Sequence, residues 1–355
     1  MTHILSSLRE NKTTTNPQER CRVLVFENQP HALNHFQITW QPWVFNSPQY
    51  AHYQSEDAKL FTFILTNLAQ TQALAFFYLF VKPHQKTGNS PALAPFGGLE
   101  IKPKLPPGLL DYFVQEMGGF CQKLSLESCQ IKLFPNCYDA PNAKKIANSL
   151  RKNGFKVVQA FENQHIVVSD APFQTQLHAS ERRRLQKCER AGFVFEEWVQ
   201  PDLAAVYAFI AKNRQALGYA ITFDYAALVA WFGLFSDQYH LFCVKNGQQI
   251  VALTVAVRVG SGVLYNFCPA DCLHYRAFSP TVLLTAGLYH YCQQNAIQIL
   301  DMGVSVDANG QPKESLQRFK CNLGAKNSQK LIFAKQLSPN QNLSTTQGVI
   351  KAWKK

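Results

Sequence analysis

The feature that most constrains this chain is an alternation that occurs twice. Short apolar runs rich in Phe, Val, Ile and Tyr give way to longer segments of helical period, in the first half of the sequence and again in the second. Strand-like runs joined by turn residues and interleaved with amphipathic helices describe a mixed α/β architecture. A chain of 355 residues with 46% hydrophobic content is long enough to build two cores of ordinary size. The expected organisation is therefore a first unit over residues 21–170 and a second over 171–336. Residues 1–20 and 337–355 are polar and are expected to be loosely held tails.

In the first half, residues 61–65 and 73–81 read as neighbouring strands. The loop 91–98 and a strand-like segment at 99–101 follow. Pro106-Pro107 opens a helix to about Lys123, ahead of a strand at 130–134. A second helix, 142–153, carries Ile146 and Leu150 four apart and stops at Gly154; strands at 155–161 and 165–168 come next. In the second half, a helix over 177–191 ends at Gly192 and passes into a strand at 193–198. Helices at 203–216 and 225–235 precede strands at 241–245, 250–259 and 263–267, the first two joined by the hairpin signal Asn246-Gly247. Ser279-Pro280 places an N-cap residue before a proline and opens a helix to about Asn295; a strand at 297–302, a short helix at 314–321 and a strand at 330–333 complete the half.

Composition narrows the function classes. The longest apolar stretch, Ala73–Val81, is too short to cross a bilayer, and the polar N-terminus lacks the apolar centre of a secretory signal, so a cytoplasmic protein without a membrane span is expected. The ten cysteines sit mostly inside apolar runs, and Cys268 and Cys272 have no second metal-ligating pair, so no metal is expected. A net charge of +12 favours anionic partners. Hydrolase elbows, phosphate-binding P-loops and dinucleotide-binding glycine fingerprints are all absent from the sequence.

Two stretches stand out as motifs. One is the basic segment Leu177-His178-Ala179-Ser180-Glu181-Arg182-Arg183-Arg184-Leu185-Gln186-Lys187-Cys188-Glu189-Arg190-Ala191-Gly192-Phe193-Val194. The other is Asp301-Met302-Gly303-Val304-Ser305, followed by Leu316-Gln317-Arg318-Phe319-Lys320 and Leu323-Gly324. Their order and separation resemble the FemAB-like proteins, tandem acyltransferases of the GNAT fold, along nearly the whole chain. The resemblance implies an α/β fold of two tandem GNAT-like units, each a twisted mixed sheet flanked by helices and split between its fourth and fifth strands. It further implies an N-acyl- or aminoacyltransferase moving an acyl group to an amine acceptor in a basic cleft. The donor would be an anionic substrate, acyl-CoA or aminoacyl-tRNA, and no other cofactor is firmly implied. The alternative is a non-catalytic tandem module that binds an anionic ligand or RNA.

Candidate residues follow. Arg183, Lys187 and Arg190 share one face of their helix, where they can hold an anion or simply meet solvent. Under the resemblance, Lys320 points into the cleft; otherwise it is a lysine on an amphipathic helix. Acyl transfer to an amine needs a neutral amine and a stabilised oxyanion. Tyr265 and Asn266 on the splayed fourth strand would border the reacting atoms, and Asp301 at a strand end would orient or deprotonate the amine. His274 and His290 are further bases without a recognisable partner. Phe96 and Gly97 would flank the matching strand of the first unit, where glycine lets a ligand approach the backbone. The donor loop of simpler acetyltransferases corresponds to Arg276-Ala277-Phe278-Ser279-Pro280-Thr281. Arg276, Ser279 and the helix N-terminus can hold one phosphate, but the stretch has no glycine and Pro280 offers no N–H, so weak acetyl-CoA binding is expected.

Overall fold

The computed structural model of the protein describes residues 21–218, 221–307 and 310–337. The chain divides into two compact units, one formed by the sequence up to Ala160 together with the segment from Lys330 onward, the other by Phe161–Gln329. The tail at 1–20 and residues 338–355 lie outside the described residues.

In the first unit β1 (Cys21–Glu27) leads through α1 (Pro48–Gln54) to β2 (Lys59–Asn67) and β3 (Ala73–Val81), an antiparallel meander with β2 at its centre. The apolar runs of β2 and β3 are buried on both faces, which is why they read as nearly continuous hydrophobic sequence. Phe61 and Phe63 meet Phe120 from one face, while Leu60, Ile64, Phe76, Tyr78 and Phe80 pack with Ala51 of α1 on the other. β4 (Thr87–Ser90) and β5 (Leu99–Ile101) both pair with β3, separated by an excursion over residues 91–98. α2 (Pro107–Lys123) begins at the second proline of the pair and buries Leu110, Phe113, Val114 and Met117. β6 (Ser128–Lys132) runs parallel to β4, and α3 (Ala140–Lys152) follows, capped by the Asp139 carboxylate, which accepts from the Asn142 N–H at 3.0 Å. Such a cap is worth about 1 kcal/mol.

The next strand, β7 (Lys156–Val167), is continuous where two strands are expected, because Glu162 and Asn163 stay in register instead of turning. The second unit continues with α4 (Ala179–Arg190), β8 (Phe193–Glu197), α5 (Leu203–Gln215), α6 (Tyr225–Leu234), β9 (Tyr239–Asn246), β10 (Gln249–Gly260), β11 (Val263–Asp271), α7 (Pro280–Gln294), β12 (Ile299–Val304), α8 (Glu314–Asn322) and β13 (Lys326–Gln336). Its sheet runs β8-β9-β10-β11-β12-β7, antiparallel except for the β11–β12 pair. Leu185 and Cys188 of α4 and Leu284, Leu288 and Cys292 of α7 bury one face with Leu264 and Leu300. The opposite face carries Tyr265 and Phe267, whose rings join those of Phe223 and Trp231 beside α5 and α6.

The boundaries differ from the expected ones at both ends. Leu133 donates its N–H to the Leu331 carbonyl, and Ile332 to Gln336 pair antiparallel with Lys132 to Ser128 of β6, so the last part of β13 completes the first unit. Leu337, expected in the tail, is buried and donates to the Glu127 carbonyl. Strand partners this distant in sequence leave no trace in local periodicity.

Candidate active site of the second unit

β11 and β12 pair over only three residues, Val263 to Tyr265 against Ile299 to Asp301. Beyond that point β11 continues against β10, through a bulge at Phe267, and among the described residues has no strand partner on the side it shared with β12. β12 carries its own irregularity, since Met302 is skipped in the pairing with β7. The last parallel pair, Tyr265 and Asp301, lies in one row with His165 of β7, which pairs with Asp301 across the other edge. Directly paired residues share a face of a sheet. Three groups with acid–base chemistry are thus brought side by side from three strands.

Each is held. The Asp301 carboxylate is buried, and its Oδ1 accepts from Asn163 Nδ2 at 2.7 Å and from the Gly303 N–H at 2.9 Å. Gly303 adopts φ of +71°, and a Cβ there would stand 3.2 Å from the Tyr265 ring, so glycine both permits the turn and makes room for the phenol. Burial first, and then the charge of Asp301, push the Tyr265 hydroxyl well above its ordinary range, so it stays protonated and serves as a donor. Burial pulls His165 below its ordinary value against the opposing pull of Asp301; its ring is neutral at pH 7, with Nδ1 buried and unpartnered.

Lys320 is buried on α8 and donates from Nζ to the carbonyls of Gly303 and Val304, each at 2.9 Å. Burial lowers its pKa to about 8 despite Asp301 nearby. The side chain therefore pins the end of β12, where a ligand contact is expected from sequence; β12's carbonyls are the nearest acceptors for a buried ammonium. Asn266 also differs from expectation. It is buried facing away from Tyr265, with Oδ1 accepting from Thr254 Oγ1 at 2.6 Å and Nδ2 directed at Met302. Strand alternation puts neighbours on opposite faces, so Tyr265 and Asn266 do not share a site.

Arg183 and Arg190 are exposed, while Lys187 donates to the Ala277 carbonyl at 2.8 Å and lies 4.7 Å from the centre of the Phe278 ring. At the start of α7, Ser279 has a left-handed φ of +57° and makes no side-chain cap; its hydroxyl turns back to the Arg276 carbonyl. The Ser279 N–H also donates to Arg276, the Phe278 N–H donates to Tyr275, and Arg276 itself pairs with Asp271 at 3.5 Å. In the first unit Phe96 is a core residue, packed edge-on against Phe45 at 5.0 Å, and Gly97 is pressed against Pro91; neither lines an open surface, because the excursion folds inward. His165, Asn163 and Gly303 were not singled out from sequence as site residues. The one signal for His165 is a Gln-His pair opening an otherwise apolar strand.

Among the described residues no group of three His, Cys, Asp or Glu side chains is placed to hold a metal, and no helix is long and apolar enough to cross a membrane. No known family matches the chain by sequence, and no curated protein does. Solved structures do. The chain has the fold of FemX, with TM-score 0.65 at 11% identity over 83% of this chain and 92% of that one. It is similar too to a conserved protein of unknown function from Bacteroides thetaiotaomicron VPI-5482, with TM-score 0.52 at 10% identity over 78% and 86% of the two chains. A tandem GNAT protein from the clavulanic acid biosynthesis pathway aligns over 79% of this chain and 84% of its own, with TM-score 0.49 and 10% identity. The likeness to FemX and to the Bacteroides protein establishes the fold.

Proposed function

We propose that the chain is an N-acyl- or aminoacyltransferase whose chemistry lies in the second unit. The observation that carries this reading is the row Tyr265, Asp301 and His165 at the point where β11 and β12 part. An amine acceptor entering there meets the negative charge of Asp301, which draws its ammonium form and, with His165 beside it, takes the proton that must leave before attack. The neutral amine nitrogen bonds to the donor's carbonyl carbon. Main-chain N–H groups on the unpaired edge of β11 are available to the resulting oxyanion. As the tetrahedral intermediate collapses, the bond from carbon to the donor's oxygen or sulfur breaks, the protonated Tyr265 hydroxyl supplies the proton to that leaving atom, and the attacking nitrogen releases its second proton, which restores the Tyr265 hydroxyl.

The donor we favour is an aminoacyl-tRNA or a larger acyl donor, in preference to acetyl-CoA. Of the N–H groups at the start of α7, those of Phe278 and Ser279 are already bonded within the loop, and Pro280 has none. A pyrophosphate finds few donors there. Calorimetric titration with acetyl-CoA at moderate salt is expected to show binding weaker than micromolar, whereas aminoacyl-tRNA supplied with an amine acceptor is expected to release deacylated tRNA. Micromolar binding of acetyl-CoA that disappears in Arg276→Ala would restore an ordinary acetyltransferase reading. No turnover with any acyl donor, alongside salt-dependent tRNA binding, would favour the non-catalytic module.

A further inference from the structure

The first unit carries a feature that the transferase reading does not use. A cavity of about 230 Å3 opens on the α1 face of its sheet, at the end of the β4–β6 pair, with Lys82, Gln85, Asn89, Ser90, Gln130 and Lys132 in its wall. Asn89 pairs with Gln130 and Phe80 with Asn89, so the floor of the cavity is one row across β3, β4 and β6. The wall holds two ammonium groups and no carboxylate. Neither lysine takes part in an ion pair among the described residues, and both are half-buried, with no hydrogen bond made by either ammonium among those residues. Two like charges gathered at one cavity without a counter-charge favour an anion between them. The other groups add directed donors. The amides of Gln85 and Gln130 are exposed and able to turn inward.

We propose that this cavity is a binding site for a phosphate group, presented as a phosphate monoester or pyrophosphate. A compact tetrahedral dianion offsets both lysines and offers enough oxygens for the amide donors beside them. A carboxylate, with one negative charge and two oxygens in a plane, leaves part of the wall unmet. The site stands on the first unit alone and is independent of the chemistry assigned to Tyr265 and Asp301.

Calorimetry on the full chain at low salt, with inorganic phosphate and pyrophosphate as probes, tests the proposal. Saturable single-site binding is expected, tighter for pyrophosphate. Lys132→Gln is expected to weaken it at least tenfold and Lys82→Gln severalfold. Lys86→Gln, which removes a nearby exposed lysine paired with Glu127 at 2.7 Å and absent from the wall, is expected to leave it unchanged. Should Lys132→Gln fail to fold, Lys82→Gln and Gln130→Ala carry the same comparison. The proposal is overturned if neither probe binds saturably, if Lys86→Gln weakens binding as much as the wall variants do, or if acetate or citrate binds more tightly than pyrophosphate.

Discussion

Both units contain a short parallel pair at the same point in their strand order, β4 with β6 and β11 with β12, and they treat its end in opposite ways. In the second unit the fourth strand runs on past the pair with a single bulge, and the edge it shared with β12 is left open. In the first unit the chain leaves the sheet at Pro91 and returns at Leu99 as β5. On the way back the Gly97 N–H donates to the Lys132 carbonyl at 2.9 Å, and a Cβ on Gly98 would stand 2.8 Å from Leu133. Backbone thus fills the gap that the other unit leaves free. The paired side chains differ to match: Tyr265 and Asp301 in the open unit, Asn89 and Gln130 in the closed one. A shared topology therefore offers the same place twice, and the side chains together with the path of one loop decide whether it presents proton-transfer groups or neutral amides flanked by lysines.

The comparison breaks most visibly through Asp301. Replacement by Asn keeps the acceptor oxygen for Asn163 and Gly303 but removes the charge, and transfer is expected to fall at least about 100-fold, the usual scale for loss of a general base. The matching change in the first unit's parallel pair, Thr87→Ala, deletes a hydroxyl contact of 2.9 Å with Ser128 and is expected to leave transfer within about twofold. Steady-state rates for both variants, with circular dichroism to verify folding, decide it; equal losses would remove the assignment of chemistry to the second unit.

Lys320 gives a smaller, pH-dependent effect. Its folded pKa of about 8 lies below the ordinary 10.5, so between these values the unfolded chain binds the extra proton and stability rises with pH, by about 2 kcal/mol from about pH 8 to 10. Denaturant titrations of the protein and of Lys320→Met should differ by that slope. The variant should also be less stable overall, because the carbonyls of Gly303 and Val304 lose their donor.

Glu100, on β5 of the first unit, supplies the counterpart with the opposite sign. It is buried and accepts from Asn46 Nδ2 at 2.9 Å and from the Trp43 N–H at 3.1 Å, yet burial raises its pKa to about 7 from 4.5. The folded state holds the proton after the unfolded chain has released it. This group's contribution is therefore complete below about pH 4.5 and fades as pH rises through 7, by about 2 kcal/mol between about pH 5 and 7. Glu100→Gln should abolish that decline, and an unchanged pH profile would show that the carboxyl is ionised throughout.

Much of the order of elements was legible because it is written locally. The hairpin at Asn246-Gly247 forms with Gly247 at a φ of +58°, and the helix opened by Pro107 begins where its prolines stand. Asp301 could be picked out from its place near the end of an expected strand, and Tyr265 only through the resemblance, as a residue of the splayed fourth strand. What the sequence hid depends on partners far away. The polar run at Thr87–Ser90 gives no strand signal of its own and becomes β4 only by pairing with β3 and β6. His165 gains its surroundings from Asp301 in a strand more than a hundred residues later. Ser279 has the right identity for a cap, but its left-handed backbone aims the hydroxyl elsewhere.

The return of β13 to β6 makes the second unit, topologically, an insertion within the first. A ribosome releases the chain from its N-terminus, so β6 emerges long before the residues that will pair with its outer edge. Until Lys330 and its neighbours are synthesised, that edge is unpaired and the first unit waits unfinished, while everything needed for the sheet order β8-β9-β10-β11-β12-β7 has already been translated. The part of the protein made first is completed last.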